Sequence, residues 1–331
     1  MGRQLRPGPR AGVIGTLAVA ALAILLVAVM VGVLTDRGVG PLARPSTCTA
    51  QVGDVTVELS QEQAENAALI TAISIQRGLP ARAASIALAT AYQESDIENI
   101  DFGDRDSVGL FQQRPSQGWG TVEQILDPVY SSNAFYDELL EIEGYETMEI
   151  TEAAQAVQRS AYPDAYADHE EDARVIASAL TGNSPRAFWC ETSGDAEEAG
   201  DRLDDAGLVK RAAVVREELQ SLFGTLSLGG FQPGGVSSGH MAGSAHYEGR
   251  AVDIFFRPVS AENRKRGWAV ASYLVAQADR LSINTVIFDD RIWKAGSRSD
   301  DGWTDYDVPT SSGGDRAILE HRDHVHVDVA D

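Results

Sequence analysis

Two short segments near the C-terminal end constrain this chain most, because they hold four of its six histidines. The first, "SAHYEGRAVD" (residues 244–253), places His246 and Asp253 seven residues apart with a glycine between them. The second, "HRDHVHV" (residues 321–327), contains the other three histidines. Histidine and aspartate are common metal ligands, so a metal site requires a fold in which these segments meet. If they do not meet, His246 is a polar loop residue and Asp253 opens a strand.

The sequence around these segments predicts a domain of mixed secondary structure. The stretches "RAVDIFF", "INTVIFDDRIW" and "HVHVDVA" have the composition of strands, and "SAENRKRGWAVASYLVAQADRLS" predicts a helix capped by Ser260. Strands and a helix without regular alternation indicate an α+β domain with an antiparallel sheet. Alternation along the last strand puts His324 and His326 on one face and the neighbouring valines on the other.

The preceding part of the chain is mostly helical by its apolar periodicity. "QEQAENAALITAISIQRG" predicts a helix with Ser60 as its N-cap, "LPARAASIALATAYQES" predicts the next, and further helices begin near Val122, Ser131 and Thr151. The second helix carries Glu94 at its C-terminal end, where the helix dipole and partial burial both raise a carboxyl pKa. Such a group suits general acid catalysis on a glycosidic oxygen, and a solvated surface residue is the alternative.

The N-terminal region predicts a membrane anchor. Residues 11–34 carry no charge and would span the roughly 30 Å hydrocarbon core as a helix. Three arginines precede them, so we expect a cytoplasmic tail at residues 1–10 and the remaining chain outside, in a single-pass membrane protein. A cleaved signal peptide is the alternative. Residues 35–58 contain several glycines and prolines and predict a linker.

Charge and cysteine content narrow the class of protein further. The chain has 27 basic and 49 acidic residues, and this excess of acid argues against nucleic acid as a partner. Its two cysteines, Cys48 and Cys190, suggest a disulfide in an exported chain that staples the ends of one segment, with two unpaired buried thiols as the alternative. We therefore expect a multidomain α+β protein with domains at residues 59–190 and 228–331 and a helical spacer at residues 191–227.

The first domain carries a recognisable pair of motifs. Glu94-Ser95 at a helix end is followed by Gly-Leu-Phe-Gln at residues 109–112. Over about residues 60–182 the chain thus resembles the lysozyme-like fold, specifically the soluble lytic transglycosylases. The resemblance implies Glu94 as the catalytic acid and Gln112 in the saccharide cleft. Further cleft or sugar-stacking candidates are Trp119, Tyr162 and Tyr166, with ordinary core aromatics as the alternative. Hydrolysis and formation of an anhydro product both stay open, because no second carboxylate can be assigned.

The second domain carries the opening motif, which fits Ser-x-His-x-x-Gly-x-Ala-x-Asp at every specified position. Over about residues 228–331 the chain resembles the M15 zinc D-alanyl-D-alanine peptidases and, more broadly, LAS-type wall peptidases and the zinc fold of hedgehog domains. Its second segment matches the family's His-x-Asp-His-x-His run. The resemblance implies a zinc ion and a set of roles. These are His246, Asp253 and His326 as ligands, Asp323 as the base, His321 as oxyanion stabiliser, and His324 as a supporting residue or alternative base.

Together these resemblances predict a peptidoglycan hydrolase that cuts both glycan strands and stem peptides. No arginine matches the one that binds the substrate carboxylate in some M15 members, and Arg250 and Arg291 are possible substitutes. Carboxypeptidase and endopeptidase activity therefore both stay open. The other classes that fit are a catalytically silent wall-binding scaffold or activator and a zinc module that binds a protein partner.

Overall fold

The computed structural model describes residues 46–159, 165–194, 200–308 and 313–331. It begins with a hairpin of strands β1 (Thr47–Val52) and β2 (Val55–Ser60), and strand β3 (Phe188–Glu191) pairs with the other edge of β1. All neighbours in this sheet are antiparallel. The structure thus differs from the predicted linker over most of residues 47–58, because alternate residues such as Val57 and Leu59 are buried.

Helices fill the segment between β2 and β3. Ser60 caps the first of them as predicted, since its Oγ accepts from Gln63 N while Gln63 Oε1 accepts from Ser60 N. The second is sandwiched between later helices and buries most of its residues. The helices are α1 (Gln61–Gln76), α2 (Ala81–Ser95), α3 (Val122–Ile125), α4 (Pro128–Leu140), α5 (Ile150–Gln158) and α6 (Glu170–Leu180).

The C-terminal part contains a six-stranded sheet of order β4-β5-β9-β6-β7-β8 within the described residues. Every neighbouring pair is antiparallel, which confirms the predicted α+β class with an antiparallel sheet. The elements are α7 (Lys210–Phe223), β4 (Ser227–Gly229), β5 (Ala251–Phe255), α8 (Ala261–Ala276), α9 (Ala278–Leu281), β6 (Ile283–Phe288), β7 (Arg291–Lys294), β8 (Thr304–Asp305), α10 (Arg316–Leu319) and β9 (His324–Val329).

Helix α8 covers one face of this sheet and also contacts the helices of the first half. Ser260 caps it as predicted, because its side chain accepts from Asn263 N. Gln61 Nε2 donates to the carbonyl of Ala276 at the end of α8. The described residues from Ser46 to Asp331 accordingly form one compact unit. The opposite face of the sheet lines a cleft.

The predicted disulfide is confirmed. Cys48 of β1 lies directly opposite Cys190 of β3, and the two are bonded. The bond closes a loop across 142 residues and joins the start of the helical region to its end. Both cysteines are fully buried, so the staple lies inside the core.

Removal of this bond is expected to destabilise the protein. Replacing both cysteines by serine frees a long loop in the unfolded chain, which the chain-entropy account values at about 4–5 kcal/mol. We expect a loss of about 2–5 kcal/mol in the free energy of unfolding, measured by chemical denaturation of the double variant and the wild type. Non-reducing peptide mapping of the wild type should show one linked peptide pair, and two free thiols would contradict the assignment.

The predicted localisation needs a correction. Within the part of the chain that the structure describes, no helix has the length and apolarity needed to cross a membrane. Helices α1 and α8 have 16 residues each, fewer than the about 20 that a membrane span requires. A single-pass membrane protein is therefore not supported. The predicted tail, residues 1–10, and the predicted anchor, residues 11–34, lie outside the described residues.

Candidate functional site

The open face of the C-terminal sheet gathers the residues of both histidine segments. In the antiparallel pair of β5 and β9, Asp253 lies opposite His326 and Phe255 lies opposite His324. Because directly opposed residues point to the same face, these four side chains share one side of the sheet. They line a cleft of about 600 Å³.

A short turn brings His246 to this face. It lies in a 3-10 turn, Ala245–Glu248, whose N-cap Ser244 accepts a hydrogen bond from His246 N. Gly249 ends the turn at φ 69°, a conformation that favours glycine, and the chain then enters β5. Gly230 approaches the site even more closely, since a Cβ there would lie 2.3 Å from Cε1 of His246. Both glycines therefore allow the turn to pack against the sheet.

Three predicted ligand atoms form a compact triangle. Nε2 of His246 and Nδ1 of His326 are 3.1 Å apart, Nδ1 of His326 and Oδ1 of Asp253 are 3.1 Å apart, and the third side measures 3.2 Å. A tetrahedral zinc with ligands at about 2.0–2.1 Å would space its ligand atoms by about 3.3 Å. The donor types and the spacing therefore fit a metal ion.

Both imidazole rings are oriented through their second nitrogen. Nδ1 of His246 is 2.7 Å from the carbonyl of Gly230, and Nε2 of His326 is 3.3 Å from Oδ2 of Asp328. Such outer partners hold metal-binding histidines in the required tautomer. Burial alone would favour a neutral His326, but hydrogen bonds to Asp253 and Asp328 raise its pKa to about 9. Protons therefore compete for this ring near neutral pH.

We expect loss of the charge on Asp328 to weaken metal binding. Asp328→Asn removes a carboxylate that lies on the outer side of His326 and accepts from Asn284. Outer partners of this kind contribute about 10–100-fold to metal affinity, so we expect a loss in that range in competition titrations with a chelator. Asp137→Asn, at an exposed surface position, is the matched control. Equal affinity in Asp328→Asn and wild type would contradict this role.

A further histidine, which the sequence analysis missed, lies beside the triangle. His240, His246 and Asp253 form a group that could bind a metal ion, with ligand atoms within 4.8 Å of one another. The ring of His240 stacks on that of His246 at 3.9 Å between centroids. Burial and the neighbouring His246 lower the pKa of His240, which favours its neutral form. The spacing of two histidines six residues apart was the available signal.

The predicted base, Asp323, is held by two neighbours. Its Oδ1 is 2.7 Å from Nδ1 of His324, and its Oδ2 accepts from Nε of Arg257 at 2.6 Å. Burial raises the pKa of Asp323, but these two hydrogen bonds outweigh it and lower the pKa overall. Nε2 of His324 lies 3.9 Å from Oδ1 of Asp253. His324 therefore extends from Asp323 towards the ligand triangle.

His321 borders the same cluster. Its ring centroid is 4.5 Å from that of His324 and 4.9 Å from that of Tyr306. Burial and the nearby rings of His324 and His326 lower the pKa of His321 to about 3, so the ring is neutral at pH 7. Its Nδ1 is buried without a hydrogen-bond partner in the described part of the protein. A polar atom of this kind has capacity for a ligand.

The two arginines considered for a substrate carboxylate are already paired. Arg250 contacts Glu248 and Asp331, and Arg291 contacts Asp305 and Asp290. Lys294 also lines the cleft, and among the described residues it has no carboxylate within salt-bridge distance. Arg250 and Arg291 therefore have other partners, and Lys294 is available to an anionic group.

A second candidate site surrounds Glu94, the penultimate residue of α2. Burial raises the pKa of Glu94, while a hydrogen bond from Tyr166 acts in the opposite direction. Oη of Tyr166 donates to Oε1 of Glu94 at 2.6 Å, and Oε2 has no hydrogen bond among the described residues. One oxygen is thus held while the other is free to present a proton. Tyr166, predicted as a cleft or sugar-stacking residue, is instead fully buried, and its hydroxyl group holds Glu94.

The Gly-Leu-Phe-Gln loop is tied directly to the end of α2. Ser95 Oγ donates to the carbonyl of Leu110 at 2.8 Å, which brings the two halves of the motif together. Gly109 has φ 78°, and a Cβ there would lie 2.8 Å from the carbonyl oxygen of Ile125. Gln112 accepts from Ser107 Oγ and donates to two backbone carbonyls. The polar atoms of the Gln112 side chain are therefore hydrogen-bonded to the loop itself, and not left unpaired to bind a saccharide.

The remaining predicted cleft residues differ in how they are placed. Trp119 is half-buried and packs against the hydrophobic core. Tyr162 lies outside the described residues. Asp106, one of the acids near Glu94 in the sequence, accepts hydrogen bonds from Arg114 and Ser116 and is thereby engaged in the loop.

Comparison with known proteins gives a local similarity. Residues 204–316 match a family model described as VldE, C-terminal domain. A search of curated proteins finds no significantly similar sequence. The match spans about a third of the chain, includes His240, His246 and Asp253, and ends before the segment with His324 and His326. The similarity to this domain therefore covers two residues of the ligand triangle, His246 and Asp253, but not the third, His326.

Proposed function

We propose that this protein is a peptidoglycan hydrolase with two active sites. The site on the C-terminal sheet cleaves stem peptides with the help of zinc, and the site around Glu94 cleaves glycan strands. The observation that carries the proposal is the triangle of ligand atoms from His246, Asp253 and His326 on the open face of the sheet. Its substrate class rests on the resemblance of the two histidine segments to M15 wall peptidases and of the Glu94 motifs to lytic transglycosylases.

The donor set favours zinc as the metal. Two imidazoles and one carboxylate are typical of catalytic zinc centres, which keep a fourth position for water or substrate. When bound, zinc supplies Lewis acidity to a carbonyl and lowers the pKa of a water molecule to about 7. His246, Asp253 and His326 would hold it.

The protein's own side chains divide the proton transfers of peptide cleavage. The Asp323 carboxylate accepts from Nδ1 of His324, so Nε2 keeps the lone pair and serves as the base. His324 takes a proton from the attacking water and passes it to the leaving amine as the peptide bond breaks. Asp323 positions this ring, which favours His324 over Asp323 as the base. His321, whose Nδ1 has no hydrogen-bond partner among the described residues, would contact the substrate oxygen.

Glycan cleavage rests on Glu94. Its raised pKa favours the protonated form, and it gives this proton to the glycosidic oxygen as the bond to the sugar breaks. Tyr166 holds Oε1, which leaves Oε2 as the donor atom. A hydrolytic product and an anhydro product are both compatible with a single acid.

The test is an analysis of cell-wall fragments by mass spectrometry. Purified peptidoglycan is treated with the full chain, with and without a zinc chelator. We expect cut stem peptides that disappear with the chelator and return with added zinc, and cut glycan strands that persist. The mass of the fragments distinguishes loss of a terminal residue from cleavage within a cross-link.

Two results would overturn the proposal in part or in full. Intact peptidoglycan that nevertheless binds the protein would favour a silent scaffold or activator. Cleavage of stem peptides at full rate in zinc-free protein would exclude the metal centre from the reaction.

A further inference from the structure

We infer that His240 is a displaceable fourth ligand that closes the metal centre in the resting protein. This inference rests on the zinc site proposed above, and it adds a latent state to that site. The observation behind it is the position of His240, whose ligand atom lies within 4.8 Å of those of His246 and Asp253.

The backbone of His240 is anchored near the site. His240 N donates to Oη of Tyr247 at 3.1 Å, and Oη of Tyr247 donates to the carbonyl of His240 at 2.6 Å. Tyr247 directly follows His246, so these two hydrogen bonds connect His240 to the turn that carries the ligand His246. A histidine held in this way reaches the metal by a small movement of its ring.

The segment around His240 is flanked by glycines and borders the open cleft. Gly239 and Gly243 flank it with φ of 95° and 78°, and a Cβ at either position would meet no atom within 4 Å. Residues Met241 to Gly243 are exposed, while His240 itself lines the cleft. His240 therefore lies on a glycine-flanked segment at the open cleft, beside the ligand triangle.

A fourth protein ligand changes what the centre can do. Zinc sites with four protein ligands are closed and structural, whereas catalytic sites keep one position open. With His240 bound, the position for water or substrate is filled. Displacement of His240 by substrate opens it, so cleavage requires binding first.

The test counts imidazoles on bound zinc. In the full chain, X-ray absorption of the zinc-loaded protein should fit three imidazoles, and His240→Phe should fit two. Phenylalanine keeps a ring to stack on His246 but supplies no ligand atom. We expect zinc affinity to fall by at least about tenfold, as for partners that only orient a ligand. His169→Ala, which removes a histidine stacked on Tyr92 outside this cluster, should change neither value.

The outcomes separate this inference from the proposed function. Two imidazoles in the wild type, with equal zinc affinity in His240→Phe, would overturn the fourth ligand and leave the peptidase intact. Three imidazoles in both proteins would assign the third to another histidine and also overturn it. A full chain that binds no zinc would overturn both.

Discussion

Glu94→Gln is expected to abolish glycan cleavage and to leave zinc-dependent peptide cleavage intact. Glutamine keeps the shape of the side chain and its contact with Tyr166 but cannot donate a proton to the leaving sugar oxygen. General acid catalysis contributes about 10²–10⁴-fold, so we expect glycan release to fall by at least that range. The measurement is the initial rate of fragment release from purified peptidoglycan, with glycan and peptide products counted separately by mass spectrometry.

The same residue should give glycan cleavage a characteristic pH dependence. Burial raises the pKa of Glu94, so the carboxylic acid persists to a higher pH than in an exposed glutamate. Activity that needs the protonated form is present below this raised pKa and is lost as the pH rises through it. The free energy of unfolding changes in the same direction, because the folded protein holds this proton more tightly than the unfolded chain. The contribution of Glu94 is fully present below its pKa in the unfolded chain and is lost as the pH rises through its raised pKa in the folded protein.

The control for this prediction is Glu138→Gln, an exposed position on α4. It makes the same chemical change, from carboxyl to amide, and should leave both activities unaltered. Retention of glycan cleavage in Glu94→Gln would show that another residue supplies the proton. A rate that does not fall at alkaline pH would contradict the acid role independently of the variant.

His324→Ala is expected to stop peptide cleavage without releasing the metal. His324 is not one of the three triangle ligands, but its Nε2 lies 3.9 Å from Oδ1 of Asp253 and its Nδ1 is bound to Asp323. Loss of a general base costs about 10²–10⁴-fold. We expect a fall of that size in stem-peptide release, with metal content near one per chain. His246→Ala and His326→Ala should instead lose the metal itself.

Asp323 tells the two possible bases apart. If Asp323 only positions His324, Asp323→Ala retains part of the activity and keeps the metal, whereas His324→Ala does not retain activity. The reverse pattern would make Asp323 the base. Asp323→Asn is informative as well, because an amide can donate to Nδ1 of His324 and so force the ring proton onto Nε2. The same change of aspartate to asparagine in the catalytic triad of a serine protease lowers kcat by about 10⁴-fold. His169→Ala is the matched histidine control.

The amino-acid sequence alone determined the features that depend on neighbours along the chain. Period-two alternation put His324 and His326 on one face, and the helical periodicity placed Glu94 at the end of α2. Both helix caps, Ser60 and Ser260, follow from short-range side-chain hydrogen bonds. These signals are local, so they survive without knowledge of the fold. The glycine turn at residues 53–54 lies within the predicted linker and instead joins β1 to β2.

The tertiary structure decided which groups meet across long separations. His240 stacks on His246 beside the ligand triangle, and Asp323 is engaged because Arg257 approaches from the far end of β5. The side chain of Gln112 is hydrogen-bonded within its own loop. Tyr166 donates a hydrogen bond to Glu94, which is 72 residues away in the sequence. A hydrogen bond or ion pair of this kind depends on distances between segments that no local pattern encodes. Residue types and spacing therefore determined the chemistry available to this protein, and only packing decided which side chains are free to perform it.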